Sequence, residues 1–218
     1  MIKAIIFDFD GVVVNSDISR FKILKSLLNK RGLVLEESYY LKSIGVKTKE
    51  FLQKYFGNEI SSSEIAEIYQ NYKKEFYNHP EKYIQIQPYV IKCCTGLSNN
   101  RYTLAISSST RKIDILFVLK SLNLNKLFKV IIGSEDTVHS KPDPEVYLKT
   151  IAELGYSPKE CIAIEDSHIG IKAAKAAGIK CIAVTYTLKR NKLTEADIII
   201  DSLDEVNAEF IKAKFDTF

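Results

Sequence analysis

No apolar run in the 218 residues approaches the length of about 18 that a membrane-crossing helix needs, so a membrane partner is not expected. No secretory leader pattern precedes the first apolar segment. Cysteine is scarce, with four in the chain. Adjacent Cys93 and Cys94 lack the spacing of metal ligands, and Cys161 and Cys181 fall in predicted core strands. All four are expected reduced in a cytoplasmic protein. Neither sign of charge dominates. Thirty-one Lys and Arg against 27 Asp and Glu leave a net charge of +4, scattered without a basic stripe or nucleic-acid motif. That balance argues against a nucleic-acid partner and suits a small anionic one. Histidine is limited to three residues. His79, His139 and His168 sit at positions where no direct role is expected. Internal repeats and low-complexity segments are absent.

What the chain does contain is ordinary for a globular protein, 46% hydrophobic and 27% charged. Its length suits one large domain or one domain carrying an insertion. Short apolar runs predict strands over 4–7, 103–107, 130–132, 161–164, 181–184 and 198–200. From residue 88 onward they alternate with helical patterns over 90–99, 111–122, 144–154, 170–177 and 203–214. Such alternation predicts an α/β protein with a Rossmann-like parallel sheet and helices on both faces. Residues 15–88 break the pattern and carry helical periodicity only. Ile18, Phe21, Leu24 and Leu28 fall on one predicted helix face, and Ser61 with Glu64 reads as a capping box opening a helix that runs to about Asn78. The expected organisation is therefore a core of 1–14 and 89–218 with an inserted all-helical domain over 15–88, joined near Val14 and Pro88.

Four segments carry chemistry, each at the carboxyl end of a predicted strand or the start of a helix. Asp8-Phe-Asp10-Gly11-Val12 follows the first strand directly, where open α/β sheets place their ligands. One carboxylate of such a pair can attack an electrophile while the other moves protons, and together they can hold a hard cation. Gly11 permits a sharp turn and close approach of a ligand. Ser107-Ser108-Ser-Thr110 ends a buried strand, where hydroxyls and backbone N–H groups can cradle a phosphate. Ser140-Lys141-Pro-Asp-Pro fixes a lysine at a helix start, placed to meet a phosphoryl group. Glu165-Asp166-Ser167-His-Ile-Gly170 puts two carboxylates at a fourth strand end, which again argues for a metal, since burying that charge alone is costly.

In this order, Asp-x-Asp-Gly-Val, Ser, Lys-Pro and Glu-Asp-Ser-x-x-Gly-Ile, the segments resemble the haloacid dehalogenase-like superfamily, most closely the branch of β-phosphoglucomutases and small sugar-phosphate phosphatases. The resemblance covers the whole core, and the insertion corresponds to that superfamily's helical cap. It implies Asp8 as the nucleophile that becomes an aspartyl-phosphate, and Asp10 as general acid and then base. It implies Mg²⁺ held by Asp8, the Asp10 backbone carbonyl and Asp166, with Glu165 as a ligand or one shell further out. Ser107 would then donate to a phosphoryl oxygen, and Lys141 would stabilise the transferring group. Gly11, Ser108, Arg20, Lys47 and Lys49 would contact substrate.

Departures from the mutase pattern are Arg20 where those enzymes carry His, Thr48 where they carry Arg, and Ser107-Ser108-Ser-Thr-Arg111 in place of Ser-x-Ser-Lys-Asn. Asn15 replaces a usual Asp. The second carboxylate, Asp10, separates the chain from dehalogenases. The expectation is a Mg²⁺-dependent phosphatase of a small phosphorylated metabolite such as a sugar phosphate, a monomer or weak homodimer. A phosphomutase is the alternative, and a non-catalytic binding protein is the more distant one.

Overall fold

The computed structural model describes residues 1–216 except 42, 44, 45 and 47. The chain divides into two compact units, Met1–Asn15 with Ile86–Phe218, and Ser16–Gln85.

The first unit is built on six strands: β1 (Ala4–Phe7), β2 (Thr103–Ser107), β3 (Phe128–Ile132), β4 (Cys161–Glu165), β5 (Lys180–Val184) and β6 (Ile198–Ile200). They form one sheet in the order β3-β2-β1-β4-β5-β6, parallel throughout. A sheet covered on both faces has near-continuous apolar strands, and β1 and β4 are buried along their whole length. Alternate residues serve opposite faces. Ala4, Ile6, Ala105, Ala163 and Cys181 pack under Val146, Tyr147, Ile151, Ile171 and Ala174 of the helices α8 (Glu145–Leu154) and α9 (His168–Ala176). Ile5, Phe7, Leu104, Ile106, Ile162 and Ile164 point the other way and are equally buried. The helix α6 (Val90–Asn99) packs on β2, and α7 (Lys112–Ser121) and α10 (Ala208–Phe215) complete the unit. The strand order reverses between β1 and β4, so the crevice at their carboxyl ends is where such a sheet receives a ligand.

The second unit is helical: α1 (Ser16–Asn29), α2 (Glu37–Leu41), α3 (Thr48–Phe56), α4 (Ser62–Asn78) and α5 (Pro80–Tyr83). Its core gathers Ile23, Leu24, Leu28, Phe51, Leu52 and Ile68. Ser61 caps α4 in a reciprocal box, its backbone N–H donating to Glu64 Oε2 at 2.8 Å and its hydroxyl accepting from the Glu64 N–H.

Several boundaries differ from the sequence reading. The buried stripe of α1 runs through Ile23, Leu24, Leu27 and Leu28, while Ile18 is exposed. α1 carries apolar residues on more than one side, and spacing alone does not choose among them. The predicted helix over 203–214 is two elements, a 3₁₀ turn Leu203–Glu205 and then α10, because Asn207 accepts the Phe210 N–H and starts a new helix. α9 opens two residues earlier than predicted, at His168, because the Ser167 hydroxyl accepts the Gly170 N–H at 3.1 Å. The units divide at 15/16 and 85/86, slightly inside the expected joints. Within the first unit, the segments adjoining those divisions run antiparallel, Val14 beside Ile86, with the Gln87 N–H on the Val13 carbonyl at 3.0 Å.

Candidate active site

Register brings the site together. Phe7 pairs with Ile106 on one side and Ile164 on the other, so Asp8, Ser107 and Glu165 arrive level at the carboxyl edge of three adjacent strands. The Asp8 N–H still donates to the Ile164 carbonyl at 2.9 Å, which extends the ladder by one bond and fixes the Asp8 backbone. Beyond it the chain turns back tightly, with the Val13 N–H and Val14 N–H both on the Phe9 carbonyl. Gly11 stands at φ +87°, where a side chain is strained, and a Cβ there would strike the Asp166 carboxylate and Thr187 Oγ1. The Gln87 side chain donates to the Gly11 carbonyl at 2.9 Å.

Lys141 is the hub. Its side chain is 4% exposed, and its ammonium donates to Asp8 Oδ1 at 2.6 Å, Glu165 Oε1 at 2.6 Å and the Ser107 carbonyl at 3.0 Å. Three N–H groups thus meet three close acceptors, with the Tyr147 hydroxyl oxygen a longer fourth at 3.4 Å. Glu165 is wholly buried and fully engaged. Its Oε1 also accepts from the Tyr147 hydroxyl at 2.7 Å, and its Oε2 from the Asp166 N–H at 3.2 Å and the Ser167 hydroxyl at 3.1 Å. The carboxylate lies directly over Gly170, where any Cβ would collide with it. This accounts for glycine at the first turn of α9. Among the described residues no buried side-chain N or O atom lacks a partner.

Ligand oxygens of Asp8, Glu165 and Asp166 lie within 4.8 Å of one another, and all three residues are buried. Burial pushes the Asp8 carboxyl well above the usual carboxylate range; Lys141 opposes this, and Glu165, Asp166 and Asp10 add to it. Burial, followed by Glu165, raises Asp166 to about 7. Burial works against the charge of Lys141, yet Asp8 and Glu165 more than offset it and raise its pKa. Negative charge therefore exceeds what one ammonium balances, which is the condition for holding a hard divalent cation. Asp166 is the best-placed donor, whereas the four bonds on Glu165 already commit its oxygens to the protein.

The second strand end differs in detail from expectation. The Ser107 hydroxyl is buried and lies 2.6 Å from Thr150 Oγ1, which donates to the Val146 carbonyl at 2.8 Å. Ser107 thus meets Lys141 through its carbonyl, and its hydroxyl is bound to α8. Ser108 is buried, and its hydroxyl accepts the Thr110 N–H at 3.0 Å. The Thr110 hydroxyl donates in turn to Asp10 Oδ2, so the loop after β2 reaches the second carboxylate of the first motif.

The predicted contacts in the helical unit are engaged locally. The Arg20 guanidinium donates to the Tyr40 hydroxyl at 2.6 Å, the Val46 carbonyl at 2.6 Å and Asp17 Oδ1 at 2.9 Å. That network ties α1 to α2 and occupies Arg20 with a structural task. Lys49 is exposed, with its ammonium 4.9 Å from the Tyr69 ring centroid. Lys47 lies outside the described residues. His139 bonds to Glu145, which also accepts the Val138 and His139 N–H groups and ties the loop before α8 to that helix.

Sequence reasoning missed Tyr147, Thr110, Thr150 and Thr187. Tyr147 reads as a core aromatic on the apolar face of α8, and it is one. Only its hydroxyl, six residues after Lys141, gives it a polar role. Thr110 closes the segment after β2, but its reach to Asp10 depends on how β1 and β2 pair.

The sequence model of a family described as haloacid dehalogenase-like hydrolase matches residues 5–184. The chain belongs to that family. It is 31% identical over 188 residues to YhcW of Bacillus subtilis (strain 168), which is named as a candidate phosphatase, with 84% of each chain covered. It is 29% identical over 203 residues to a protein of Thermotoga maritima named phosphorylated carbohydrates phosphatase, covering 90% of this chain and 92% of that one. A crystal structure from Thermotoga maritima, described as a candidate β-phosphoglucomutase, superposes with a TM-score of 0.82 at 26% identity, over 94% of this chain and 96% of the other.

Proposed function

We propose that this hydrolase is a Mg²⁺-dependent phosphatase of a small phosphorylated metabolite, with a sugar phosphate as the favoured class, acting through an aspartyl-phosphate on Asp8. One observation carries the reading above the others. A buried carboxylate is held at 2.6 Å by a buried lysine, beside a second acid, Asp10, and a third, Asp166. The residues fit a divalent cation, with Asp8, Asp166 and the Asp10 backbone as the holders. Bound there, Mg²⁺ would neutralise repulsion between the nucleophile and a phosphate dianion.

The chain's own groups supply the rest. Lys141 fixes the plane of the Asp8 carboxylate by holding Oδ1. An Asp8 oxygen attacks phosphorus, the bond to the leaving oxygen breaks, and Asp10 gives that oxygen its proton. Asp10, now a carboxylate, takes a proton from water. The water oxygen attacks the same phosphorus, the bond to Asp8 breaks, and inorganic phosphate leaves. Thr110 orients Asp10 for both steps. Glu165 holds Lys141, and Gly11 lets Asp166 sit against the turn. The relatives named as phosphatases, one of them for phosphorylated carbohydrates, support the substrate class.

A phosphomutase is the second reading, favoured by the likeness to the structure described as a candidate β-phosphoglucomutase. Arg20 speaks against it, since its guanidinium is held by three bonds within the helical unit. The test is phosphate release over a panel of phosphorylated metabolites, with Mg²⁺ or with chelator. β-Glucose 1-phosphate is included with a trace of glucose 1,6-bisphosphate. Phosphate release that depends on Mg²⁺ is expected. Glucose 6-phosphate formed much faster than phosphate would replace the phosphatase by the mutase.

A further inference from the structure

A lysine that orders the nucleophile and also steadies the transferring phosphoryl group has a problem of supply. All three N–H groups of Lys141 are taken, by Asp8 Oδ1, Glu165 Oε1 and the Ser107 carbonyl. One must be released to a phosphoryl oxygen. The bond to Asp8 is needed to hold the attacking group, and the Ser107 carbonyl is a fixed strand end. The bond to Glu165, a wholly buried carboxylate at 2.6 Å, is the strongest competitor.

Tyr147 bears on that bond. Its side chain is fully buried, and its hydroxyl donates to the same Oε1 at 2.7 Å. Its oxygen is 3.4 Å from the Lys141 ammonium, which lies 4.9 Å from the ring centroid. The hydroxyl therefore takes part of the Oε1 acceptor capacity, and the ring lies against the ammonium. The hydrocarbon part of the ring belongs to the core with Val146 and Ile151. Phenylalanine would fill that space equally well, so packing does not require the hydroxyl.

We propose that Tyr147 is a positioning residue that acts through Glu165 and Lys141. Its hydroxyl shares Glu165 Oε1 with the ammonium, so that one N–H of Lys141 can turn to the transferring phosphoryl group. The inference rests on the phosphatase reading above.

The test is a double-mutant cycle in the full chain with Mg²⁺. Phosphate release is followed for the unaltered protein, Tyr147→Phe, Lys141→Ala and the pair. Tyr147→Phe should lower kcat about tenfold for every substrate, the loss expected of one hydrogen bond to a charged group, with KM nearly unchanged. Inhibition by vanadate, which mimics the transferring group, should weaken by about the same factor, while inhibition by inorganic phosphate should not. In the Lys141→Ala background the Tyr147 change should cost less than about twofold. Should Tyr147→Phe fail to fold by its melting curve, Tyr147→Met, smaller and flexible but also without a donor, takes its place. Undiminished kcat in the Tyr147 variant, or an equal loss with and without Lys141, overturns the inference alone. Absence of phosphate release from the unaltered protein overturns the phosphatase reading and this inference with it.

Discussion

Asp8 is fixed in a buried place by a lysine 2.6 Å away and by a backbone tied into the β1–β4 ladder. The surplus of acid around that pair sets its response to pH. Asp166 is raised from 3.8 to about 7 by burial and then by Glu165, so the folded, metal-free protein binds a proton there more tightly than the unfolded chain does. By linkage, acidification from about pH 7 towards 4 favours folding at this group, and above 7 the unbalanced charge opposes it in full. A divalent cation needs the ionised form. The rise in melting temperature on adding Mg²⁺ should therefore be larger at about pH 8 than at about pH 5.5. An equal rise at both values would remove Asp166 from the metal site. At this scale the sequence singled out Asp8 and Lys141, which the structure joins at 2.6 Å. It was silent on hydroxyls. The Ser107 hydroxyl turns to Thr150 because α8 packs against that face of the sheet, and no spacing along the chain encodes that contact.

The elements place these groups, and two glycines show how closely. At Gly11 and at Gly170 a methyl group would occupy the space of the Asp166 and Glu165 carboxylates. Gly170→Ala raises helix propensity but forces Glu165 aside. Unfolding in urea should show a loss of about 1–3 kcal/mol, as overpacking of a filled site does, with kcat reduced as well. Unchanged stability and unchanged kcat together would mean that Glu165 is not seated on that turn. Element existence was legible wherever a signal was redundant. β1 and β4 are unbroken apolar runs, and α4 carries its capping box in four residues. It was less legible in α1, where Ile18 and Ile23 are equally apolar and only packing decides which is buried. It failed at Leu203–Glu205, where a cap at Asn207 divides one apparent periodicity into two elements.

For the whole molecule, the two compact units invite a division of labour between common chemistry and substrate choice. Lys141→Ala in the sheet unit should depress hydrolysis of every substrate by a similar factor, because in the proposed mechanism it serves the phosphoryl group they share. Three local bonds argue against a place for Arg20 among the residues that rank substrates. Arg20→Ala should destabilise the helical unit by about 1–3 kcal/mol through the lost bonds to Tyr40, Val46 and Asp17, read as a lower melting temperature. A changed order of preferred substrates with unaltered stability would return Arg20 to substrate binding. The α/β class with a parallel sheet was readable from alternation, while the strand order had to come from the structure. Substrate identity was not, because it depends on side chains that share no sequence neighbourhood.

The most direct measurement is chemical trapping. The protein is mixed with Mg²⁺ and a hydrolysed substrate labelled in its phosphoryl group, quenched in acid within the first turnovers, digested and mapped. The account predicts label on the peptide containing Asp8, released by hydroxylamine as an acyl-phosphate is, and absent from an Asp8→Asn protein that folds normally but no longer releases phosphate. Label on another residue, or full phosphate release by that Asp8→Asn protein, would contradict it.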